Sequence, residues 1–204
     1  MTYELNDGEA ALQRRFDTER LAERIRTHTV KDYIDERDRG FIESLDMLFM
    51  ATVDANGNVD CSYKGGDPGF VRVLDDQTVA FPIYDGNGQF MSTGNVLTNG
   101  KVGLLFIDFE NQSRMRLNGT ASIDFADPLA DEFPEAQFIV RVRAEEVFPN
   151  CPRYIHKMEL VERSRFVPRA ACETPEPGWK DHFEDVLPEE QRKRRAEKRA
   201  PGRP

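Results

Sequence analysis

Cysteine is scarce in this chain of 204 residues: there are three, Cys61, Cys151 and Cys172. They are too few and too scattered for a disulfide framework or a tetrahedral zinc site, and each is expected to be a reduced thiol. Histidine is equally rare, and His28, His156 and His182 lie far apart without ligand spacing. No apolar run approaches the ~18 residues that a membrane helix needs. The N-terminus, "MTYELNDGEAALQRRFDTER", lacks the basic start and apolar stretch of a secretory signal, so a cytoplasmic protein without membrane attachment is expected. The chain carries no Walker-type loop, no HExxH and no GxSxG. The glycines of "GGDPG" and "DGNG" do not have dinucleotide-fold spacing. Any redox chemistry here needs a cofactor to carry it.

Positive charge is also in deficit, and unevenly so. The net charge is −9, yet residues 192–204, "RKRRAEKRAPGRP", carry a local +6. The remaining body is strongly acidic and repels nucleic acid, so no nucleic-acid partner is expected. The basic tail reads as solvated and unstructured.

Residues 9–44 read as helical. Leu12, Phe16 and Leu21 fall near helical spacing, and "VKDYIDERDRGFIESL" continues the pattern until Gly40 interrupts it. These helices are expected to lie over a core built later in the chain. Next, "MLFMATVD" and "VDCSY" flank the Asn-Gly hairpin signal "ANGN". After the loop "KGGDPG", "FVRVL" and "TVAFPI" form a second hairpin around "DDQ". A helix is expected from about Gln89 to Leu97. "VGLLFIDF" and "RMRLNGTASI" then pair around "ENQS". Six short hairpin-connected strands with one inserted helix imply a small antiparallel barrel. Residues 137–148 alternate and should add a strand. "DPLADEF" before them should form a short helix capped by Asp127, with Pro128 first. "CPRYIHKMEL" is expected to make a helical turn. Residues 1–174 thus form one domain, and 175–204 a Pro-rich and basic peripheral arm.

Two stretches carry chemistry. "YDGNGQFMSTGNV", residues 84–96, sets a Gly/Asn turn against a helix start. Such a start exposes unpartnered backbone N–H groups and a positive dipole end, which suit a phosphate. Asn87, Gln89 and Ser92 are candidate side-chain donors. Plain turn chemistry with helix capping explains the same residues. The second stretch is "RMRLNG", in which Arg114 and Arg116 project from one strand face. Arg72 repeats the pattern between Val71 and Val73. Such arginines either lie in solvent or offer charge to a ligand.

Taken together, "DMLFMATVD", "DCSYKGGDPGFVRVLDDQTVAFPIYDGNGQFMSTGNV" and "KVGLLFIDFENQSRMRLNGTA" resemble the pyridoxamine 5′-phosphate oxidase-like flavin-binding split barrels. The resemblance covers about residues 41–125. It implies an α+β, mainly β fold: a six-stranded antiparallel split barrel of Greek-key type with flanking helices. It also implies a homodimer that holds FMN between its subunits. Matching the family's motifs implicates Arg72 and Val73 in "VRVL", Pro82 and Ile83 in "FPI", and Asn87, Gln89 and Ser92 at the phosphate. The family's usual Arg-Lys phosphate pair is absent, and Lys64 or Arg72 supplies that charge instead. Arg114 matches the family's polar residue beside the flavin pyrimidine. The C-terminal substrate motif of true pyridoxamine phosphate oxidases is not recognisable, although Trp179 is present. The implied function is an FMN-dependent oxidoreductase acting on an unidentified small molecule. The alternative is a non-enzymatic split-barrel protein binding flavin, a deazaflavin coenzyme or haem.

Overall fold

A computed structural model of the chain describes residues 5–199. It divides into two compact units between Arg163 and Ser164, earlier than the expected boundary at 174.

The first unit opens with α1 (Asp7–Arg15), α2 (Glu19–Thr29) and α3 (Glu36–Ser44). Asn6 and Asp35 cap α1 and α3 through reciprocal capping boxes. The helical run read from residue 9 is interrupted at Asp17, which adopts a positive φ of 52°. Gly40, expected to interrupt the next helix, sits inside α3 without a break. α3 buries Ile42 in the core, but α1 and α2 bury nothing. Leu12, Phe16, Leu21 and Ile25 are all more than half exposed, so these two helices do not cover the core as expected.

Seven strands follow: β1 (Met47–Val53), β2 (Val59–Gly65), β3 (Arg72–Val73), β4 (Thr78–Ile83), β5 (Lys101–Asp108), β6 (Ser113–Asp124) and β7 (Phe138–Pro149). Between β4 and β5 lies α4 (Met91–Thr98). The strands form one antiparallel sheet in the order β2-β1-β5-β6-β7-β4-β3. The sheet therefore has seven strands rather than six, because the extra strand expected at 137–148 joins it between β6 and β4. The β1–β2 hairpin turns where Asn-Gly predicts it, with Gly57 at φ 88°. Asp54 fastens this turn, accepting from the backbone N–H groups of Asn56 and Asn58 and from the Asn58 side chain. Those hydrogen bonds, Asn58's first, hold its carboxyl below the usual range. The expected "DPLADEF" helix is a 3-10 turn (Pro128–Glu132) capped by Asp127. No helix forms in "CPRYIHKMEL", which makes an isolated turn at residues 153–154.

Strand alternation decides what is buried. Leu48 and Met50 of β1, Leu104 and Phe106 of β5, Leu117 of β6 and Val140 and Val142 of β7 turn inward into one core. The outward faces of β1, β2 and β5 are also apolar. Tyr63 pairs across to Phe49, and Phe49 to Leu105, in one row over three strands. Val59 is 85% exposed and Tyr63 61%.

The second unit holds a 3-10 segment (Gly178–Val186) and α5 (Glu189–Arg199). The basic tail expected to be unstructured is helical through Arg199, and residues 200–204 lie outside the described residues. Acidic partners explain the order. Arg195 is buried between Glu176 at 2.9 Å and Asp181, Lys198 holds Glu173 at 2.5 Å, and Arg199 holds Glu184 at 2.7 Å.

Two glycines test this packing with opposite signs. A Cβ at Gly119, beside the register shift in β6, would stand 2.0 Å from the Arg143 carbonyl oxygen. Backbone cannot move aside cheaply there, so Gly119→Ala should cost about 1–3 kcal/mol, the range of core overpacking. Gly40 in α3 has nothing within 4 Å of such a Cβ, and Gly40→Ala should stabilise by about 0.5–1 kcal/mol. Denaturant midpoints of the two variants should move in opposite directions. Equal midpoints would contradict the β6–β7 geometry.

Candidate functional site

The inward face of β2 breaks the apolar rule of the sheet. Asp60, Ser62 and Lys64 alternate with the outward Val59, Cys61 and Tyr63, so three polar side chains share one face. Opposite them stands the start of α4. Phe90 is its N-cap residue and adopts a left-handed conformation, φ 50° and ψ 30°. That conformation is rare for a bulky residue. No side chain caps this helix start. Ser92 and Thr93 in the first turn are buried, and Asn95 ties the helix to the barrel by donating to Thr52 Oγ1 at 3.1 Å.

Between these elements lies a cavity of ≈ 370 Å³. Its walls are Asp60, Ser62 and Lys64 on one side and Tyr84, Asn87 and Phe90 with the first turn of α4 on the other. Lys64 Nζ donates to Ser92 Oγ at 2.9 Å, bridging the walls. Burial pushes the Lys64 ammonium below the usual lysine range, partly offset by Asp60. Its hydrogen-bond partner is a neutral hydroxyl, which does not neutralise it. Ser62 Oγ is buried and has no partner at all. Burial also pushes the Tyr84 phenol up, with the Asp67 charge as a lesser cause. A desolvated cation, an orphaned hydroxyl and an uncapped helix start converge here. Each of the three is stabilised by an anion with several acceptor oxygens.

Of the residues singled out from the sequence, Lys64, Ile83, Asn87 and Ser92 meet at this cavity. Asn87 is partly committed to its own turn, since its Oδ1 accepts from Gln89 N at 3.0 Å. Gln89 itself is exposed, and Pro82 is buried in β4 opposite Ile139; neither is part of the lining. Arg72 and Val73 lie on β3, at the opposite end of the strand order from β2. Val73 is in the core, and the Arg72 guanidinium sits 5.6 Å from the centre of the Phe133 ring, its Nε buried without a partner. Arg114 and Arg116 do share a face of β6. Arg114, however, donates to the Cys151 carbonyl at 2.9 Å and does not line the cavity. Sequence reasoning missed Asp60, Ser62 and Tyr84. A signal existed for the first two: "DCSYK" puts polar residues at every second position of a strand whose pairing partner is apolar.

The family model described as pyridoxamine 5′-phosphate oxidase matches residues 34–163, and the chain belongs to that family. No curated protein matches the chain. Among solved structures, HupZ of Group A Streptococcus is 23% identical, with 57% of this chain and 99% of that one covered, at a TM-score of 0.47. A structure from Lactobacillus delbrueckii, titled as a putative pyridoxamine 5′-phosphate oxidase, is 26% identical over 58% of this chain and 95% of that one, at a TM-score of 0.46. An FMN-binding protein from Syntrophomonas wolfei is 15% identical over 69% of this chain and 97% of that one, at a TM-score of 0.45.

The Lys64–Ser92 pair should dominate anion binding at the cavity. Lys64→Met should weaken inorganic phosphate at least tenfold, since a hydrogen bond to a charged group is worth about 1.5–3 kcal/mol. The pH profile follows from the direction of the shift. Lys64 is charged below its lowered pKa, so phosphate affinity should fall as pH rises toward, but not yet into, the ordinary lysine range. Lys64→Met should lack that alkaline limb. Calorimetric titration across pH measures both, and an unchanged affinity in the variant would remove the anion site from this cavity.

Proposed function

We propose that the chain is a cytoplasmic homodimeric oxidoreductase that binds FMN and acts on an unidentified small molecule. The observation that carries this reading is Lys64, a desolvated ammonium held by Ser92 beside the uncapped start of α4. These residues fit the phosphate of FMN. Lys64 supplies the charge, the first-turn N–H groups and the Ser92 hydroxyl supply donors, and Ser62 Oγ gains the partner it lacks. When bound, the flavin ring supplies hydride and electron transfer, for which the chain's own side chains offer no substitute. The protein's part is to bind the phosphate, orient the cofactor and keep bulk water from the cavity.

The apolar outer row of Tyr63, Phe49 and Leu105 supports the homodimer. An exposed apolar sheet face of this kind marks an association surface. Tyr63 belongs to this row and also lines the cavity, so a cofactor bound there would lie beside the proposed subunit interface. Arg72 and Arg114 keep the ring-contacting role implied by the family only if the ring extends beyond the cavity walls. The three free thiols, Cys61, Cys151 and Cys172, suit a reducing compartment. Among the described residues, no helix is long and apolar enough to cross a membrane.

The absorption spectrum of the purified chain tests the cofactor. Oxidised flavin bands support the reading; a Soret band or a deazaflavin spectrum overturns FMN in favour of haem or the deazaflavin coenzyme. Light scattering tests assembly. The chain should have twice its monomer mass at micromolar concentration, burying about 1,600 Å² or more. Leu105→Glu, which places a charge in the row, should yield a folded monomer. A variant that remains dimeric would move the interface elsewhere.

A further inference from the structure

The outer face of the sheet continues past the apolar row. Pairing runs on from Leu105 to Arg116 of β6, and from Arg116 to Phe148 of β7. An exposed arginine therefore interrupts a run of apolar side chains. Two residues along, the next outward row is Cys61, Ala51, Gly103, Asn118 and Glu146. Arg116 and Glu146 are thus diagonal neighbours on adjacent strands, about 7–8 Å apart. They do not pair with each other. The Arg116 guanidinium lies 6.0 Å from the centre of the Phe148 ring and meets no carboxylate among the described residues. The Glu146 carboxylate turns to the Asn118 amide, which donates to Oε2 at 2.9 Å, while Oε1 accepts from no described residue. Nearby charges are already engaged. Lys101 holds Glu145 at 2.8 Å, and Arg114 donates to the Cys151 carbonyl at 2.9 Å.

Covering this face desolvates both charges, and a charge left unpaired in an interface opposes association. A neutral partner leaves both unmet. A partner charged at one sign meets one and repels the other. A second copy of this chain meets both. A two-fold axis passing between the two residues lays each on its opposite in the other copy, the reciprocal contact of an isologous interface.

We propose that Arg116 and Glu146 of the partner subunit form an ion pair, made twice about a two-fold axis, that selects a second copy of this chain as the occupant of the outer sheet face. This rests on the homodimer reading above and adds where its axis lies, between β6 and β7. Tyr63 and the cavity then sit toward the margin, three strand spacings or about 14 Å away.

Sedimentation equilibrium of the purified full-length chain tests the pair, with far-UV circular dichroism as the check on folding. Arg116→Glu and Glu146→Arg each set like charges together at both contacts, and each should raise the dimer dissociation constant about a hundredfold. Glu146→Gln keeps the shape and the Asn118 contact, removes only the charge, and should raise it about tenfold. The decisive experiment mixes Arg116→Glu with Glu146→Arg in equal amounts. Their heterodimer has opposite charges at both contacts, so the mixture should recover the wild-type dissociation constant to within about tenfold. A pair within one chain is not restored by mixing. Variants that dimerise as tightly as the wild type, or a mixture that stays monomeric, would overturn the pair. If Leu105→Glu still gives a monomer in that case, the homodimer through this face stands without it. A monomeric wild type overturns both.

Discussion

A half-buried ammonium without an acidic partner in hydrogen-bond contact needs a reason to remain charged. Lys64 reaches across from an edge strand to the hydroxyl of Ser92, a neutral group that cannot offset its desolvation. Much of the local architecture converges on that contact. The β1–β2 hairpin sets the register that turns Lys64 inward. Thr52, on the neighbouring strand, receives the Asn95 amide and so fixes α4 against the barrel. Phe90 takes a left-handed conformation at the helix start, and the first turn is left uncapped toward the cavity. A protein built only for stability would cap this helix and pair or replace this lysine. The cost is understandable if an anion completes the site.

In the proposed homodimer, β2 would link binding to assembly. Its inner face lines the cavity that would hold the proposed ligand, and its outer face contributes Tyr63 to an apolar row shared with Phe49 and Leu105. A strand at the edge of a sheet, exposed on one side and polar on the other, is poorly held by the rest of its own chain. Association over the outer face would hold it from the other side. Ligand affinity and dimer stability are then thermodynamically linked, because whatever orders β2 for one orders it for the other.

Much of this was legible in the sequence, and the failures have physical causes. "ANGN" announced its hairpin because Asn-Gly suits a turn with positive φ, and "DPLADEF" announced its turn through Asp127 and Pro128. The helix after "DGNG" was placed two residues early, since nothing in the sequence marks an aromatic residue for the left-handed region. Leu12, Phe16 and Leu21 carried a true helical period, but a period reports amphipathic character and not what covers the apolar face. At the site, Asn87 and Ser92 were visible as turn and helix-start residues. Lys64 emerged only as a substitute for a missing charge. Asp60 and Ser62 were hidden because a strand's polar face becomes a ligand wall only once register and a neighbouring helix are known. Arg114 shows the converse: its shared face with Arg116 was read correctly from spacing, but the segment it meets, at Cys151, lies 37 residues away.

The account stands or falls on whether the phosphate of the flavin is what Lys64 and Ser92 hold. The direct measurement is the affinity of the full chain for FMN against riboflavin, which differ only by that phosphate. Fluorescence titration of each, with the wild type and with Lys64→Met, reads the phosphate contribution alone. The account predicts that the wild type binds FMN at least a hundredfold more tightly, on the order of two charge-assisted hydrogen bonds, and that Lys64→Met loses most of this ratio. Equal affinity of the wild type for FMN and riboflavin would contradict it.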